Sequence, residues 1–263
     1  DAEGSWAQTI KQNIDLIRKQ RGQSPCHIGL AAPGLAAKDG GSIAYMQGRL
    51  HGLQGFVWQD FLHSAAPVVV LNDAHAALLG EVWRGAAKGY RNVILLTLGT
   101  GVGGAVLVDG RLIKGQIGRA GHLGHVTVNS DGDADIVNTP GSLEQMIGNY
   151  NVSDRSGGRF TSTRLLVEAH LRGDSEATTI WLRSIHHLAA AIASFVNAFD
   201  PEMVIVGGGI AKAGSALFDP LRKDLDRFEW RPLGHTVQVI PAALGEKAGA
   251  IGAAYYGIQE AKG

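Results

Sequence analysis

Cysteine is almost absent from this chain, whose 263 residues include a single one, Cys26. One cysteine cannot form an internal disulfide, and it cannot supply the ligands of a multi-cysteine zinc site. Such scarcity is typical of proteins that work in a reducing compartment. The sequence therefore predicts a cytoplasmic location.

An excess of either charge is also missing, because Lys+Arg and Asp+Glu both count 24. Without an overall field, the chain is not expected to bind nucleic acid or an anionic membrane, and any anionic ligand must be held by a local site. The longest apolar runs, such as residues 189–199, are shorter than the roughly 20 residues that span a bilayer. No membrane partner is therefore predicted.

Strands alternate with helices along the chain, which indicates an α/β protein. HIGLAAPG, PVVVLND, MVIVG and HTVQVIPAAL are short apolar or β-branched runs and predict strands. NVILLTLGTGVGGAVLVDGRLIKG predicts a β-meander, and RAGHLGHVTV is expected to extend the same sheet. Helical spacing predicts helices at residues 5–20, 58–63, 74–87 and 177–199, and from 247 to about 259.

Within LGTGVGG, the residues Gly99, Gly101 and Gly104 match the G-x-G-x-x-G pattern of dinucleotide-binding proteins. That pattern requires a following helix, whereas AVLVDGRLIKG is typical of strands, so the dinucleotide interpretation fails. A glycine hairpin instead leaves backbone N–H groups and the Thr100 hydroxyl available to a terminal phosphate. A purely structural hairpin remains the alternative.

Four segments stand out by their order and spacing: LNDAHAALLGE, LGTGVGGAVLVDGRLIKG, VIVGGGIAKAG and LGEKAGAIGAA. In this arrangement the chain resembles the ROK (repressor, open reading frame, kinase) family of glucokinase-type enzymes, from about residue 5 to its end. The resemblance implies an actin/hexokinase-like (ribonuclease H-like) two-lobed fold. Residues 1–72 plus 247–263 are expected to form the smaller N-terminal lobe, and residues 73–246 the larger C-terminal lobe. It further implies ATP-dependent phosphorylation of a hexose, with Mg²⁺, in a homodimer.

The resemblance assigns the catalytic general base to Asp73, with Asn72 beside it as a ligand of a sugar hydroxyl. A carboxylate at a strand end suits this chemistry, because phosphoryl transfer needs a positioned base next to the acceptor hydroxyl. Asp73 would also be a good N-cap for a helix beginning at Ala74. The cap-only interpretation is therefore kept open.

Two glycine-rich segments are expected to bind the nucleotide. By resemblance, the terminal phosphate lies against Gly99, Thr100, Gly101, Gly103 and Gly104, and the adenosine against Gly207, Gly208 and Gly209. A generic strand-to-helix turn is the alternative for the second segment. The small residues of LGEKAGAIGAA predict close helix packing and no chemistry.

On the sugar side, the resemblance points to Pro33, Gly34, His122, His125 and Glu144. The family has Glu where this chain has His122, and a cysteine-rich zinc loop where Ser142 now stands before Glu144. Without those cysteines the zinc site cannot form, so no zinc is expected, and His125 becomes either a sugar contact or a hydrogen-bonded structural residue. The nearby DGDADI lacks the spacing of a calcium loop and predicts a polar turn.

A second sugar-side motif of the family survives only as GLQGF at residues 52–56, so His51 or Gln47 is considered as a substitute hydroxyl ligand. The family's opening Asp-x-Gly-Gly-Thr hairpin is not found, which predicts a truncated N-terminal lobe, weak ATP binding and slow turnover. A non-catalytic, sugar-sensing or regulatory protein of the same family is the alternative function. A dehydrogenase ranks third because a strand follows Gly104.

Overall fold

A computed structural model describes residues 4–46 and 50–260. Gln47 lies outside the described residues. The helices are α1 (Ser5–Arg21), α2 (Trp58–Leu62), α3 (Asp73–Arg84), α4 (Leu143–Ile147), α5 (Val152–Arg155), α6 (Thr163–Leu171), α7 (Ser175–Phe199), α8 (Ser215–Phe228) and α9 (Ala248–Glu260). The strands are β1 (Ile28–Ala32), β2 (Leu35–Ala36), β3 (Ile43–Tyr45), β4 (Val68–Asn72), β5 (Val93–Leu98), β6 (Val102–Val108), β7 (Arg111–Leu112), β8 (Met203–Gly207) and β9 (Gln238–Pro241).

The predicted meander forms one side of a five-stranded sheet with the order β7-β6-β5-β8-β9. The central strand β5 pairs antiparallel with β6 and parallel with β8, and β8 pairs parallel with β9. VILLTL in β5 is buried along almost its whole length, as expected for a strand covered on both faces. This topology brings the ends of β5 and β8 to the same edge of the sheet.

Strands β1 and β4 pair in parallel, with Ala32 opposite Asn72, and helices α3 and α9 pack beside them. The two helices touch through their backbones: a Cβ added at Gly252 would lie 1.7 Å from the Ala76 carbonyl oxygen. The close packing predicted from the small residues is therefore confirmed. How residues 1–72, 73–246 and 247–263 divide into lobes stays a prediction.

Further contacts join α3 to its surroundings. Glu81 is fully buried, and its carboxylate accepts hydrogen bonds from the amides of Ala86 at 2.7 Å and Leu244 at 2.8 Å. Nearby, the rings of Trp83 and Tyr255 stack with centroids 5.2 Å apart. The far end of α3 is thus tied both to α9 and to the loop that precedes it.

One predicted strand is wrong. RAGHLGHVTV does not extend the sheet but forms a loop with a single 3₁₀ turn at Leu123–His125. The apolar alternation imitates a strand, yet Gly121 has a φ of +91°, which no strand residue adopts. Gly124 also packs directly on β6, where a Cβ would lie 1.9 Å from the Val102 carbonyl oxygen. These residues therefore cover the sheet face instead of joining its edge.

Within the part of the chain that the structure describes, no helix has the length and apolar character to cross a membrane.

Candidate active site

The two predicted nucleotide-binding segments lie side by side at the edge where β5 and β8 end. Thr97 of β5 is opposite Gly207 of β8. Gly208 follows with a φ of +87°, and a Cβ there would lie 2.2 Å from the Leu98 carbonyl oxygen. Only glycine combines this conformation with so close an approach. Ligands of sheets with parallel strands bind at such carboxyl ends, and Gly208 and Gly209 are exposed there.

The hairpin tip at residues 99–101 is open to solvent, with Thr100 exposed and Gly99 and Gly101 half-buried. The Gly99 amide donates to the Gly101 carbonyl at 2.9 Å, whereas the amides of Thr100 and Gly101 make no hydrogen bond within the described residues. Behind the tip, the carbonyls of Gly99 and Thr100 accept from the amides that follow α4, at 3.0 and 2.9 Å. The tip is therefore held in place while two N–H groups remain for an anion.

Glu144 supports this hairpin from inside. Its buried carboxylate accepts a hydrogen bond from the Val102 amide, with 2.7 Å between Glu144 Oε2 and the nitrogen. A Cβ at Gly101 would lie 2.1 Å from the same oxygen, so the glycine makes room for the carboxylate. The residue predicted as a sugar ligand thus also contacts the predicted phosphate hairpin.

Helix α3 begins at Asp73, and its N-cap is Asn72, whose Oδ1 accepts from the amides of Ala74 at 3.0 Å and His75 at 3.2 Å. The cap-only interpretation of Asp73 is therefore wrong. Two neighbouring residues were both good caps, and the fold uses the first. Asp73 remains exposed on the first turn, and its Oδ1 accepts from the Ala74 amide at 2.8 Å.

This first turn lies against the hairpin strand. A Cβ at Gly103 would be 3.2 Å from Ala74 Cβ and 2.4 Å from Thr97 Oγ1. On the other side of the strand, Gly104 packs closely on Gly121: a Cβ at Gly104 would lie 2.6 Å from the Gly121 carbonyl oxygen. The two glycines let α3 and the loop before His122 approach the strand, so Asp73 lies near the phosphate hairpin.

Asn72 also connects to the predicted sugar loop. Its Nδ2 donates to the Gly34 carbonyl at 3.0 Å, and the side chain is buried. Gly34 has a φ of +100°, and a Cβ there would lie 2.6 Å from the Tyr45 carbonyl oxygen. Pro33 and Gly34 are half-buried beside it. The amide of Asn72 keeps one N–H for a ligand, because its oxygen and its other N–H are used by the protein.

Sequence reasoning missed His75, which lies buried one position beyond Ala74 on α3. Its Nε2 is 3.0 Å from the Ala120 carbonyl oxygen, and its ring meets the His122 ring edge-on with centroids 5.7 Å apart. Burial, together with the nearby His75 and His125, lowers the pKa of His122 to about 4. The Nε2 of His122 is buried with no hydrogen-bond partner in the described chain. For His75, the available sequence signal was a polar residue on the buried face of the predicted helix.

Asp135, in the segment interpreted as a polar turn, is a second residue that sequence reasoning missed. Its Oδ2 lies 2.8 Å from His125 Nδ1, and its side chain has no exposed area. Burial alone would raise the pKa of Asp135, but hydrogen bonds from His125, the Thr139 amide and the Ser142 hydroxyl outweigh it and lower that pKa. His125 is therefore hydrogen-bonded, as one of its two interpretations required.

The last described candidate for a sugar contact is His51. His51 is exposed, and its carbonyl accepts from the Trp6 indole at 3.3 Å. Among the described residues, no group of three or more His, Cys, Asp and Glu side chains could hold a metal ion.

Comparison with known proteins agrees with this architecture. The ROK family model matches residues 3–260. A glucokinase from Thermotoga maritima is 32% identical over 258 residues, covering 91% of this chain and 81% of the relative. The structure of a ROK hexokinase from Thermus thermophilus matches with a TM-score of 0.84 and 30% identity, over 97% of this chain and 86% of that one.

A second solved structure is a ROK family glucokinase from Streptomyces griseus in complex with glucose and AMPPNP. It matches with a TM-score of 0.77 and 29% identity, covering 96% of this chain and 88% of the other.

The fold and these relatives define a sugar kinase with the actin/hexokinase-like α/β fold. The chain belongs to the ROK family.

Proposed function

We propose that this protein transfers the γ-phosphate of ATP to a hydroxyl group of a hexose, with Asp73 as the general base. The observation that carries the proposal is the contact between the first turn of α3 and the glycine hairpin, where a Cβ at Gly103 would lie 3.2 Å from Ala74 Cβ. The helix turn that carries the exposed Asp73 carboxylate therefore lies against the hairpin strand, whose tip has two backbone amides without a hydrogen bond among the described residues. Phosphoryl transfer requires this combination of a positioned base and donors around the phosphate.

On the nucleotide side, the amides of Thr100 and Gly101 and the Thr100 hydroxyl would receive the terminal phosphate. Gly103 and Gly104 keep side chains out of the strand that leads from the tip, while Gly207, Gly208 and Gly209 would line the adenosine side. Fixed amides stabilise the charge on a transferring phosphoryl group without having to reorganise. The AMPPNP complex of the Streptomyces griseus relative supports ATP as the donor.

The donor set fits a Mg²⁺ ion that arrives with the nucleotide. Mg²⁺ in kinases typically takes one or two carboxylates and completes its shell with phosphate oxygens and water. Asp73 is exposed at the hairpin and could supply such an oxygen. When bound, the ion neutralises phosphate charge.

On the sugar side, Pro33, Gly34, Asn72, His122, His125 and Glu144 would bind the hexose hydroxyls. His122 offers a neutral imidazole, because burial holds its pKa near 4. The glucose complex of the same relative supports a hexose substrate. The homodimer and the cytoplasmic location stay predictions, and the oligomeric state can be measured by light scattering.

A coupled assay with glucose and ATP tests the proposal, run on the unchanged protein and on Asp73→Ala. General-base catalysis contributes about 10²–10⁴-fold, so the variant should lose at least a hundredfold in kcat. Asp219→Ala is the matched control, because Asp219 is an exposed carboxylate on α8 that forms a surface ion pair with Arg222. Equal activity in Asp73→Ala would remove Asp73 from the mechanism.

The same assay separates the kinase from the sugar-sensing alternative. In a sensor, bound hexose would raise the melting temperature of the protein, because a ligand stabilises the state it binds. No ADP would be released. The measured kcat also tests the slow turnover expected from the sequence.

A further inference from the structure

The loop between His125 and Glu144 is organised around one buried carboxylate. Asp135 Oδ1 accepts from the amides of Val137 and Thr139, both at 2.9 Å, while Oδ2 faces His125 Nδ1 at 2.8 Å. The two oxygens therefore have different tasks. One shapes the turn, and the other holds the imidazole.

The chemistry of this pair fixes the histidine tautomer. An ionised carboxylate can only accept hydrogen bonds, so His125 Nδ1 must carry the proton and donate it. In the neutral ring, Nε2 then has a free lone pair and acts as an acceptor. The ring is 29% exposed, whereas Asp135 is completely enclosed. Asp135 therefore cannot reach a ligand itself and can act only through His125.

The same carboxylate is connected to the helix that carries Glu144. The Ser142 hydroxyl, which helps to lower the pKa of Asp135, is also the N-cap of α4 and accepts from the Gln145 amide at 3.2 Å. The two ends of the loop are further joined by the Leu143 amide, which donates to the Val126 carbonyl at 2.9 Å. One connected set of hydrogen bonds therefore holds the two ends of the loop, which carry His125 and Glu144.

We propose that Asp135 is a positioning residue for sugar binding, which holds His125 with Nε2 as a hydrogen-bond acceptor for a sugar hydroxyl and ties its loop to the start of α4. The inference depends on the proposed function for its sugar ligand. The stabilising element of the loop is a carboxylate with its hydrogen bonds, and no metal ion is needed for it.

Asp135→Asn is the sharpest variant, because it changes the task of one oxygen only. Its remaining oxygen can still accept from Val137 and Thr139, which leaves an NH₂ group facing His125. That donor forces Nδ1 to become the acceptor and moves the ring proton to Nε2. The turn of the loop is kept, while His125 Nε2 changes from a hydrogen-bond acceptor to a donor toward the sugar.

We expect Asp135→Asn to raise the KM for the hexose roughly tenfold and to leave the KM for ATP within about twofold, as the loss of one hydrogen bond at the sugar would. Asp133→Asn is the control, since Asp133 is exposed in the same loop. An unchanged hexose KM, or an equal rise in both KM values, would overturn the proposal.

A second measurement needs neither the variant nor catalysis. Nitrogen NMR of histidine-labelled protein, with the His125 signals assigned by their loss in His125→Gln, reports which ring nitrogen carries the proton. A neutral ring protonated at Nδ1 supports the proposal even if no sugar is phosphorylated, and a ring protonated at Nε2 refutes it even if the kinase is active. Failure of the inference and failure of the proposed function are thereby distinguished.

Discussion

Glu144 and Val102 join the two halves of the candidate site through one hydrogen bond, 2.7 Å from the amide nitrogen to the buried carboxylate. Val102 is the first residue of β6, directly after the hairpin tip, and Glu144 is the second residue of α4. A residue assigned to the sugar therefore also fixes the shape of the loop assigned to the phosphate. Perturbing this carboxylate should affect both substrates.

The first prediction concerns this bond. Glu144→Ala leaves the buried Val102 amide without a partner, so we expect the free energy of unfolding to fall by roughly 1–3 kcal/mol and the KM values for ATP and hexose both to rise. Glu144→Gln retains an acceptor and should keep most of the stability. Chemical denaturation and steady-state kinetics measure both effects, with Glu168→Gln at a half-buried position as control. A rise confined to the hexose KM would show that the hairpin does not depend on Glu144.

The adenosine-side glycines provide a comparison between two adjacent residues. Gly208→Ala must accommodate a φ of +87° and a Cβ 2.2 Å from the Leu98 carbonyl oxygen, so it should destabilise the fold by more than about 1 kcal/mol.

Gly209→Ala is the matched control for stability, because Gly209 has a φ of −64° and no atom within 4 Å of its Cβ position. Thermal unfolding of the two variants compares them directly. Equal melting temperatures would contradict the described course of the chain after β8.

The lowered pKa of His122 predicts that the folded protein loses stability in mild acid. Its pKa is lowered by burial from 6.5 to about 4 in the folded protein, so the unfolded chain binds more protons between those values. The stability due to the neutral ring is present above pH 6.5 and is lost as the pH falls toward 4. From pH 7 to pH 5 this loss should be about 2 kcal/mol.

Denaturant unfolding at the two pH values checks this, with His122→Asn as the comparison. The variant should lose less stability than the unchanged protein over the same interval. Parallel losses in the two proteins would assign the acid sensitivity to other groups, such as His75, whose pKa is also lowered by burial.

Much of the α/β framework follows from local sequence signals. The apolar run of β5, the glycine turn after it and the helical spacing of α7 are consistent over many residues, and the structure confirms them. The failure at residues 119–128 has a different cause. Alternation predicts a strand only if a partner strand is available, and here glycine at Gly121 and Gly124 lets the segment lie on the face of β6.

The site was predictable in part for a related reason. Asn72 ends β4 and Asp73 follows it, while Gly99 and Gly208 follow β5 and β8, where a sequence pattern predicts a shared edge. The pair of His125 and Asp135 has no such pattern, because its members are ten positions apart in an irregular loop and only the folded chain brings them together. His75 was missed because its partners, the Ala120 carbonyl and the His122 ring, come next to it only in the folded chain.

The stacking of Trp83 on Tyr255 makes the crossing of α3 and α9 optically accessible, since the emission of a tryptophan depends on the groups around its ring. Asp73 begins the helix that carries this indole, and the buried Glu81 fixes the end of that helix to the segment before α9. The protein therefore carries an intrinsic fluorophore at the far end of the helix that starts at its proposed catalytic base.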